Sequence, residues 1–177
     1  DILQTGGNAT DAAVAAMAVL CVVLPGSVGF GGYGGSIVIY SARSGRCSAI
    51  DFDTRAPLAY RDEIFGDDYS AKSNYGYLAV SVPAITAGLT MTLEKFGTKS
   101  WADATRRAIE IAERGFPMEA ETHKHLLKWR VGADDISHRA FFPDGTIPDI
   151  GQPWVQKHLA TLLRKLADDG PHAFYHG

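Results

Sequence analysis

The longest run of hydrophobic positions lies near the start of the chain and predicts a helix. Residues 12–24 are apolar almost throughout and rich in alanine. Asn8 or Thr10 is expected as the N-cap, and Pro25 lies beyond the end. A helix that is apolar on every side is typical of a central, buried element. The run is too short for a membrane span, which needs about 20 residues.

The first residues have a different pattern, which predicts the end of an earlier helix. Residues 1–4 resemble a helix tail, and Gly6-Gly7 resembles its termination. We therefore expect further residues before Asp1.

Two β-branched stretches follow and predict an antiparallel hairpin. Residues 36–40 are expected to form a buried strand, and residues 47–54 a second strand. Ser44-Gly45 between them is a turn signal. A third short strand is predicted over residues 77–82. The polar segment 61–75 before it is expected to be a mobile loop or an excursion from the fold.

From residue 84 onward the apolar positions repeat with helical spacing. Ser100 and Asp103 form a capping-box signature, and Pro153 is expected at the first position of a later helix. The predicted elements are helices over 84–96, 101–114, 119–129 and 154–167, a turn over 142–145, and the start of a helix over 172–177.

This inventory of elements predicts an α/β or α+β fold, with helices layered on a small sheet. The hydrophobic share of 46% and the charged share of 21% are ordinary for a soluble globular chain. No linker long enough to separate two domains is visible. Residues 1–177 are therefore expected to form a single partial domain.

Charge and potential metal ligands narrow the classes of function. A net charge of -3 provides no basic face for nucleic acid. Cys21 and Cys47 imply neither a disulfide framework nor a four-ligand zinc site. His123 and His125 are two residues apart on a predicted helix, so they face different directions. His172 and His176 can share a face, but no acidic or cysteine ligand lies near them. Surface histidines are therefore the preferred interpretation of both pairs. We expect no metal and no cofactor.

The glycine-rich segment 29–35 satisfies G-x-G-x-x-G, which raises the possibility of a dinucleotide site. Such a loop leaves a strand and opens a helix. Here the predicted helix comes before the glycines and the predicted strand comes after Gly34. A dinucleotide partner is therefore disfavoured, and the glycines are expected to allow unusual dihedrals and the close approach of another element.

Three charged residues alternate at the end of the second predicted strand. Asp51, Asp53 and Arg55 would share one face because side chains repeat every two residues along a strand. One interpretation is a salt-bridged strand end. The other is that Arg55 binds a substrate carboxylate through its planar fork. The residues alone do not decide between them.

Several motifs occur in an order that resembles the gamma-glutamyltransferase (gamma-glutamyltranspeptidase) family along nearly the whole chain. The similar segments are G-G-N-A-x-D-A-A over 6–13, the glycine turn 29–32, V-P-A-x-x-A-G-L over 82–89, F-G-T over 96–98, and blocks over 108–117, 159–163 and 170–177. Ala84 replaces the family's usual glycine. The resemblance identifies residues 1–177 as the front portion of the large subunit.

The resemblance implies a fold and a mechanism. The expected fold is part of the αββα four-layer sandwich of the N-terminal-nucleophile (Ntn) hydrolases. The expected enzyme is a self-processing precursor that cleaves gamma-glutamyl amides of the glutathione type and transfers the acyl group to water, amino acids or peptides. Its nucleophilic threonine would lie beyond Gly177, so no catalytic residue is expected in this chain. The expected partners are the substrate, the rest of the large subunit and the small subunit.

The resemblance also implies a substrate-binding position. The family's arginine that grips the glutamyl α-carboxylate corresponds to Asp53, and Arg55 lies two residues later, where it could reach the same face. We therefore take Arg55 and Asp53 as the candidate substrate-binding residues. The alternatives are a related acylase acting on a different amide and a non-catalytic scaffold relative. The compartment stays open between the cytoplasm and export.

Overall fold

The computed structural model describes residues 1–74, 76–142 and 145–176. The chain divides into two compact units, Asp1–Gly29 with Thr90–Gly177 (the helical unit) and Phe30–Leu89 (the hairpin unit). The assignment of all residues to one partial domain stays a prediction. The helices are α1 Ala9–Val23, α2 Tyr69–Lys72, α3 Ile85–Phe96, α4 Trp101–Arg114, α5 Ala120–Arg130, α6 Asp135–Phe141, α7 Lys157–Asp169 and α8 His172–His176, and the strands are β1 Ser36–Ser41, β2 Arg46–Asp51, β3 Phe116–Pro117 and β4 Pro153–Trp154.

The start of α1 follows the sequence prediction closely. Asn8 is the N-cap and forms a reciprocal capping box with Asp11, so the alternative N-cap Thr10 was wrong. Burial of α1 on every side was also wrong for this chain, since Val14 is fully buried whereas Leu20 is 38% exposed. Before α1, Gly6 ends a set of hydrogen-bonded turns with a positive φ of 82°, where a helix tail was predicted.

The carboxylate of Asp11 in the helical unit is 0% exposed and accepts several hydrogen bonds. It accepts from the backbone N–H groups of Asn8 (2.7 Å), Thr98 (2.8 Å) and Lys99 (3.0 Å). The Thr98 hydroxyl donates a further bond of 2.8 Å. Burial opposes ionisation, but the hydrogen bonds from Asn8, Thr98 and Lys99 outweigh it and hold the pKa of Asp11 below its ordinary value of 3.8.

Small side chains let α4 pack closely in the helical unit. Ala104, Ala108 and Ala112 are almost completely buried and recur every fourth residue, so they lie on one face of the helix. This helix packs against both α1 and α7. The amide of Gln156 donates 2.7 Å to the Val22 carbonyl and so satisfies an acceptor in the last turn of α1.

A smaller apolar cluster is formed by residues that follow α4 in the chain. Its buried members are Met118, Leu126, Phe142 and Trp154. Trp154 belongs to β4, which pairs with β3 in antiparallel register, Phe116 with Trp154. Pro153 was predicted at the first position of a helix and is instead in β4, and the helix begins at Lys157. Pairing with residues far away in sequence overrode the local signal from proline.

The remaining predicted helices are present with small shifts at their ends. The capping box at Ser100 and Asp103 is formed, and α4 ends at Arg114 as expected. Helix α6, capped by Asp134, was missed. Of the predicted turn 142–145, Pro143 and Asp144 lie outside the described residues, as do Tyr75 and Gly177 of the segments 61–75 and 172–177. No described helix is both long and apolar enough to cross a membrane.

The hairpin unit contains the predicted antiparallel pair. Strand β1 pairs with β2 from Ser36 opposite Asp51 to Ser41 opposite Arg46. The prediction that β1 is buried was wrong for this chain, because Val38 is 74% exposed and Tyr40 is 65% exposed. Within the unit, the face of the hairpin that carries Val38 and Tyr40 is exposed to solvent.

The prediction of a third strand over residues 77–82 was wrong. Residues Tyr77–Ala79 form a 3-10 turn that begins after Gly76, whose φ is 82°. Only Val82 makes a β-bridge, to Arg55. The β-branched composition of this segment indicated a strand, but its only described pairing partner is a single residue. The preceding polar segment, predicted as a loop, contains two short 3-10 turns and α2.

Two glycines allow close approach to Phe52 in the hairpin unit. A Cβ on Gly34, at φ +122°, would lie 2.2 Å from the Phe52 carbonyl oxygen. A Cβ on Gly88 would lie 2.1 Å from the Phe52 ring. The prediction that the glycine segment permits close approach is confirmed at Gly34. The element that follows Gly34 is β1, which agrees with the argument against a dinucleotide loop.

Gly34→Ala should destabilise the complete protein by about 2 kcal/mol or more, because alanine is strained at this φ and its methyl group overlaps backbone. Gly31→Ala is the matched control from the same segment. Its φ is not positive and its Cβ would meet nothing within 4 Å, so a change within about 0.5 kcal/mol is expected. Thermal unfolding measures both. Equal effects would contradict the packing argument.

Asp11→Asn should cost about 3 kcal/mol at pH 7, because the buried amide would turn N–H groups toward donors that now point at the carboxylate. The lowered pKa means that the ionised carboxylate stabilises the fold above pH 3.8, and that this contribution is lost as the pH falls through the lower folded value. Denaturant unfolding as a function of pH measures the loss.

The control for this prediction is Asp103→Asn, which alters a capping box of the same form at an exposed position. It should cost about 1 kcal/mol or less. Similar costs at the two positions would show that the burial of Asp11 does not matter.

Candidate functional site

The candidate substrate-binding residues lie directly after β2 in the hairpin unit. Backbone pairing continues past the strand, since Phe52 N–H donates 2.9 Å to the Gly35 carbonyl. Phe52 is buried, whereas Asp53 and Arg55 are exposed. The regular strand stops at Asp51, so the predicted strand end at residue 54 was too late. The exposure of the side chains nevertheless alternates beyond the strand, since Thr54 is less exposed than Asp53 and Arg55.

The backbone of Arg55 is held by a neighbouring segment. Val82 N–H donates 2.9 Å to the Arg55 carbonyl, and the Thr54 hydroxyl donates 2.6 Å to the Val82 carbonyl. These two bonds fix the position from which the arginine side chain projects. Among the described residues no ion pair joins its guanidinium to Asp51 or Asp53. The salt-bridged strand end is therefore not the arrangement present.

Local hydrogen bonds orient the two carboxylates. One oxygen of Asp51 accepts from Asp53 N–H at 3.1 Å, and one oxygen of Asp53 accepts from Thr54 N–H at 2.9 Å. Each of these bonds uses a single carboxylate oxygen. The segment therefore presents fixed negative charge at Asp53 and positive charge at Arg55, two residues apart and both at the surface.

A cleft that the sequence analysis missed lies in the same unit. Its volume is about 360 Å³. It is lined by Gly31, Gly32, Tyr33, Asn74, Gly76, Ala79, Val80 and Ser81. The last of these residues directly precedes Val82, the bridge partner of Arg55. The available sequence signals were the glycine cluster and Gly76, but only the fold shows that they surround one space.

Other reactive groups in the described part of the chain include Cys21 and the His172/His176 pair. Burial raises the pKa of Cys21 to about 12, so its thiol is not a nucleophile. The rings of His172 and His176 are stacked at 4.5 Å. No group of three or more histidine, cysteine, aspartate or glutamate residues suited to a metal ion occurs in the described part of the chain.

Comparison with known proteins gives a consistent result over the full chain. The model of the family described as gamma-glutamyltranspeptidase matches residues 1–177. The glutathione hydrolase proenzyme of Pseudomonas sp. (strain A14) is 37% identical over 186 residues, covering 100% of this chain and 32% of that relative. The chain therefore spans about a third of the length of this curated relative.

Two solved structures extend the comparison to the fold. The gamma-glutamyltranspeptidase of Helicobacter pylori has a TM-score of 0.90 and 36% identity, covering 99% of this chain and 52% of that chain. The cephalosporin acylase of Bacillus halodurans has a TM-score of 0.85 and 28% identity, covering 100% of this chain and 34% of that chain. The predicted class is confirmed: helices with small sheets, and structural neighbours that are Ntn-hydrolase gamma-glutamyltranspeptidases.

The hydrogen bond from Thr54 to Val82 should contribute to the anchoring of Arg55. Thr54→Val keeps the shape and removes the donor, so a loss of about 1 kcal/mol and a lower unfolding midpoint are expected. Thr54→Ser keeps the hydroxyl and should lose less. Thermal unfolding of the complete protein compares them, and a valine variant as stable as the serine variant would contradict this role.

Proposed function

The chain belongs to the gamma-glutamyltranspeptidase family, and from this premise we propose that the complete protein cleaves gamma-glutamyl amides. The acyl group passes to water or to the amine of an amino acid or peptide. The relatives are enzymes, and the curated relative named above is a glutathione hydrolase proenzyme. In the proposal residues 1–177 form the front portion of the large subunit, and the nucleophilic threonine lies outside them. The partners are the remainder of the same precursor and the substrate.

The observation that carries the proposal is the exposed pair of opposite charges on an anchored backbone. A gamma-glutamyl donor has an α-carboxylate and an α-ammonium group on the same carbon. Arg55 presents a planar fork that suits the carboxylate. Asp53, two residues away, presents a carboxylate that suits the ammonium. The two residues together complement both charges of the donor.

Fixed backbone is necessary for this recognition. Binding an α-amino acid head by two side chains requires both to be held in place, because each immobilised side chain costs conformational entropy. Thr54 N–H donates to the Asp53 carboxylate and orients that side chain, and the Arg55–Val82 bridge fixes the backbone from which the arginine projects. Arg55 in this proposal is a binding residue, and the chemistry itself belongs to the threonine.

A second candidate is supported by the identity of residue 53. The position that carries the carboxylate-binding arginine in the family is occupied here by Asp53, which repels an anion. A related acylase that uses a donor without an α-carboxylate is consistent with that exchange. The structural similarity to a cephalosporin acylase supports this second candidate.

Arg55→Ala in the complete protein should raise the KM for gamma-glutamyl-p-nitroanilide about a hundredfold, through loss of a charge-assisted bidentate contact. The effect on kcat should be smaller, because the contact is made in both the ground state and the transition state. Arg55→Lys should be intermediate. Arg43→Ala, at an exposed position in the hairpin turn, is the control and should leave both constants unchanged.

The choice of acyl donor separates the two candidate functions. The wild-type enzyme should prefer gamma-glutamyl-p-nitroanilide to 4-aminobutyryl-p-nitroanilide, which keeps the amine and lacks the α-carboxylate. The reverse preference, with a KM that does not respond to Arg55→Ala, would favour the acylase and overturn the proposed role of Arg55.

A further inference from the structure

We propose that His172 and His176 form a two-ligand site for a divalent transition-metal ion on α8. The ions that such a pair accepts are Ni²⁺, Cu²⁺ and Zn²⁺, for which imidazole is a common ligand in proteins. The site belongs to the helical unit and is independent of the gamma-glutamyl chemistry proposed above. Sequence spacing alone favoured solvated histidines at these positions, because it showed no further ligand. The structure adds the placement of the two rings.

The two imidazole rings lie side by side on one turn of helix. Residues four apart share a face of a helix, and the ring centroids of His172 and His176 are 4.5 Å apart, with 29° between the ring planes. Two nitrogens that each bind one metal ion at about 2.1 Å are about 3 Å apart. A rotation of either exposed ring about its side-chain bonds makes up the difference, so one ion can be held by both rings.

The helix that carries the rings is anchored by its other face. Ala173 is 8% exposed, and α8 packs against α7. The Ala173 N–H donates 3.2 Å to the Gly170 carbonyl, which ties the start of α8 to the end of α7. His172 and His176 are both exposed. The pair is therefore held on a fixed turn and is open to an ion and to the water molecules that would complete its coordination.

The end of α7 supplies negative charge next to the pair. Helix α7 ends at Asp169, and the C-terminal end of a helix carries partial negative charge. Asp168 interacts electrostatically with Arg164, whereas no ion pair involves Asp169 among the described residues. Asp169 contributes charge and not a third ligand, since no metal-binding group of three or more such side chains occurs in the described ranges. The surroundings of the pair therefore favour a cation.

The ligand set selects among cations. Two neutral imidazoles suit Ni²⁺, Cu²⁺ and Zn²⁺, whereas Mg²⁺ and Ca²⁺ prefer oxygen ligands. Because the protein supplies only two ligands, an ion bound here keeps water in its other positions and exchanges with solvent. The pair is therefore an exchangeable surface site.

The test is a titration of the complete protein, purified without a histidine tag, with nickel chloride in a calorimeter. His172→Ala and His176→Ala should each weaken the binding of one Ni²⁺ ion at least about tenfold, because the second ligand of a chelate acts at a high effective concentration. His158→Ala is the matched control, since His158 is an exposed histidine of α7 with Thr161 and Leu162 three and four residues later. It should leave Ni²⁺ binding unchanged. Magnesium chloride should give no binding that depends on His172 or His176.

The double variant His172→Ala/His176→Ala distinguishes one shared ion from two separate ions. Each single substitution already destroys a chelate, so the double variant should bind Ni²⁺ about as weakly as either single variant. Losses that add, a loss at only one of the two positions, or an equal loss with His158→Ala would overturn the proposed site. All three positions are exposed, so the unfolding midpoints without metal should agree and show that the fold is intact.

Discussion

The helical unit depends on a buried anion. The carboxylate of Asp11 accepts hydrogen bonds from groups up to 88 residues away in sequence, so the first turn of α1 is joined to the segment between α3 and α4. Asn8 adds a bond of 2.7 Å from its side-chain amide to the Phe96 carbonyl. An unpaired charge would be costly here. Hydrogen bonds from four donors, three N–H groups and the Thr98 hydroxyl, compensate for the burial of the carboxylate.

A second polar contact holds the C-terminal end of α1, so both ends of the helix are fixed by hydrogen bonds. Gln156 reaches the Val22 carbonyl across 134 residues of sequence. Helix α4, which buries three alanines, packs against α1. The helical unit thus combines buried polar contacts with small side chains, as expected of a scaffold. The hairpin unit is different, with short 3-10 turns and exposed charges, and it contains the candidate site.

Local signals predicted the elements but not their long-range partners. Asn8 and Ser100 were predictable as capping residues because a capping box needs only residues three apart. The strand predicted over 77–82 failed, and Pro153 entered a two-residue strand, because both outcomes depended on distant pairing. Asp11 was overlooked for a related reason. An acid in a first helical turn has an ordinary explanation in the helix dipole, and only the fold shows that it is buried against residues 98 and 99.

The same limit applies to the candidate site, because the sequence does not show how Asp53 and Arg55 act together. Phe52 is buried and both Asp53 and Arg55 are exposed, whereas a shared face for Asp51, Asp53 and Arg55 stays a prediction. An acid at position 53 repels the carboxylate of a ligand, but the proposed donor also carries an ammonium group. Residues two apart on an extended chain are about 7 Å apart. This is within the Debye length of about 8 Å at physiological salt. A ligand bound at Arg55 therefore experiences Asp53 as well. In the proposed binding mode a simple carboxylate would be penalised and a zwitterion would gain a second contact, so the pair would select by repulsion as well as by attraction.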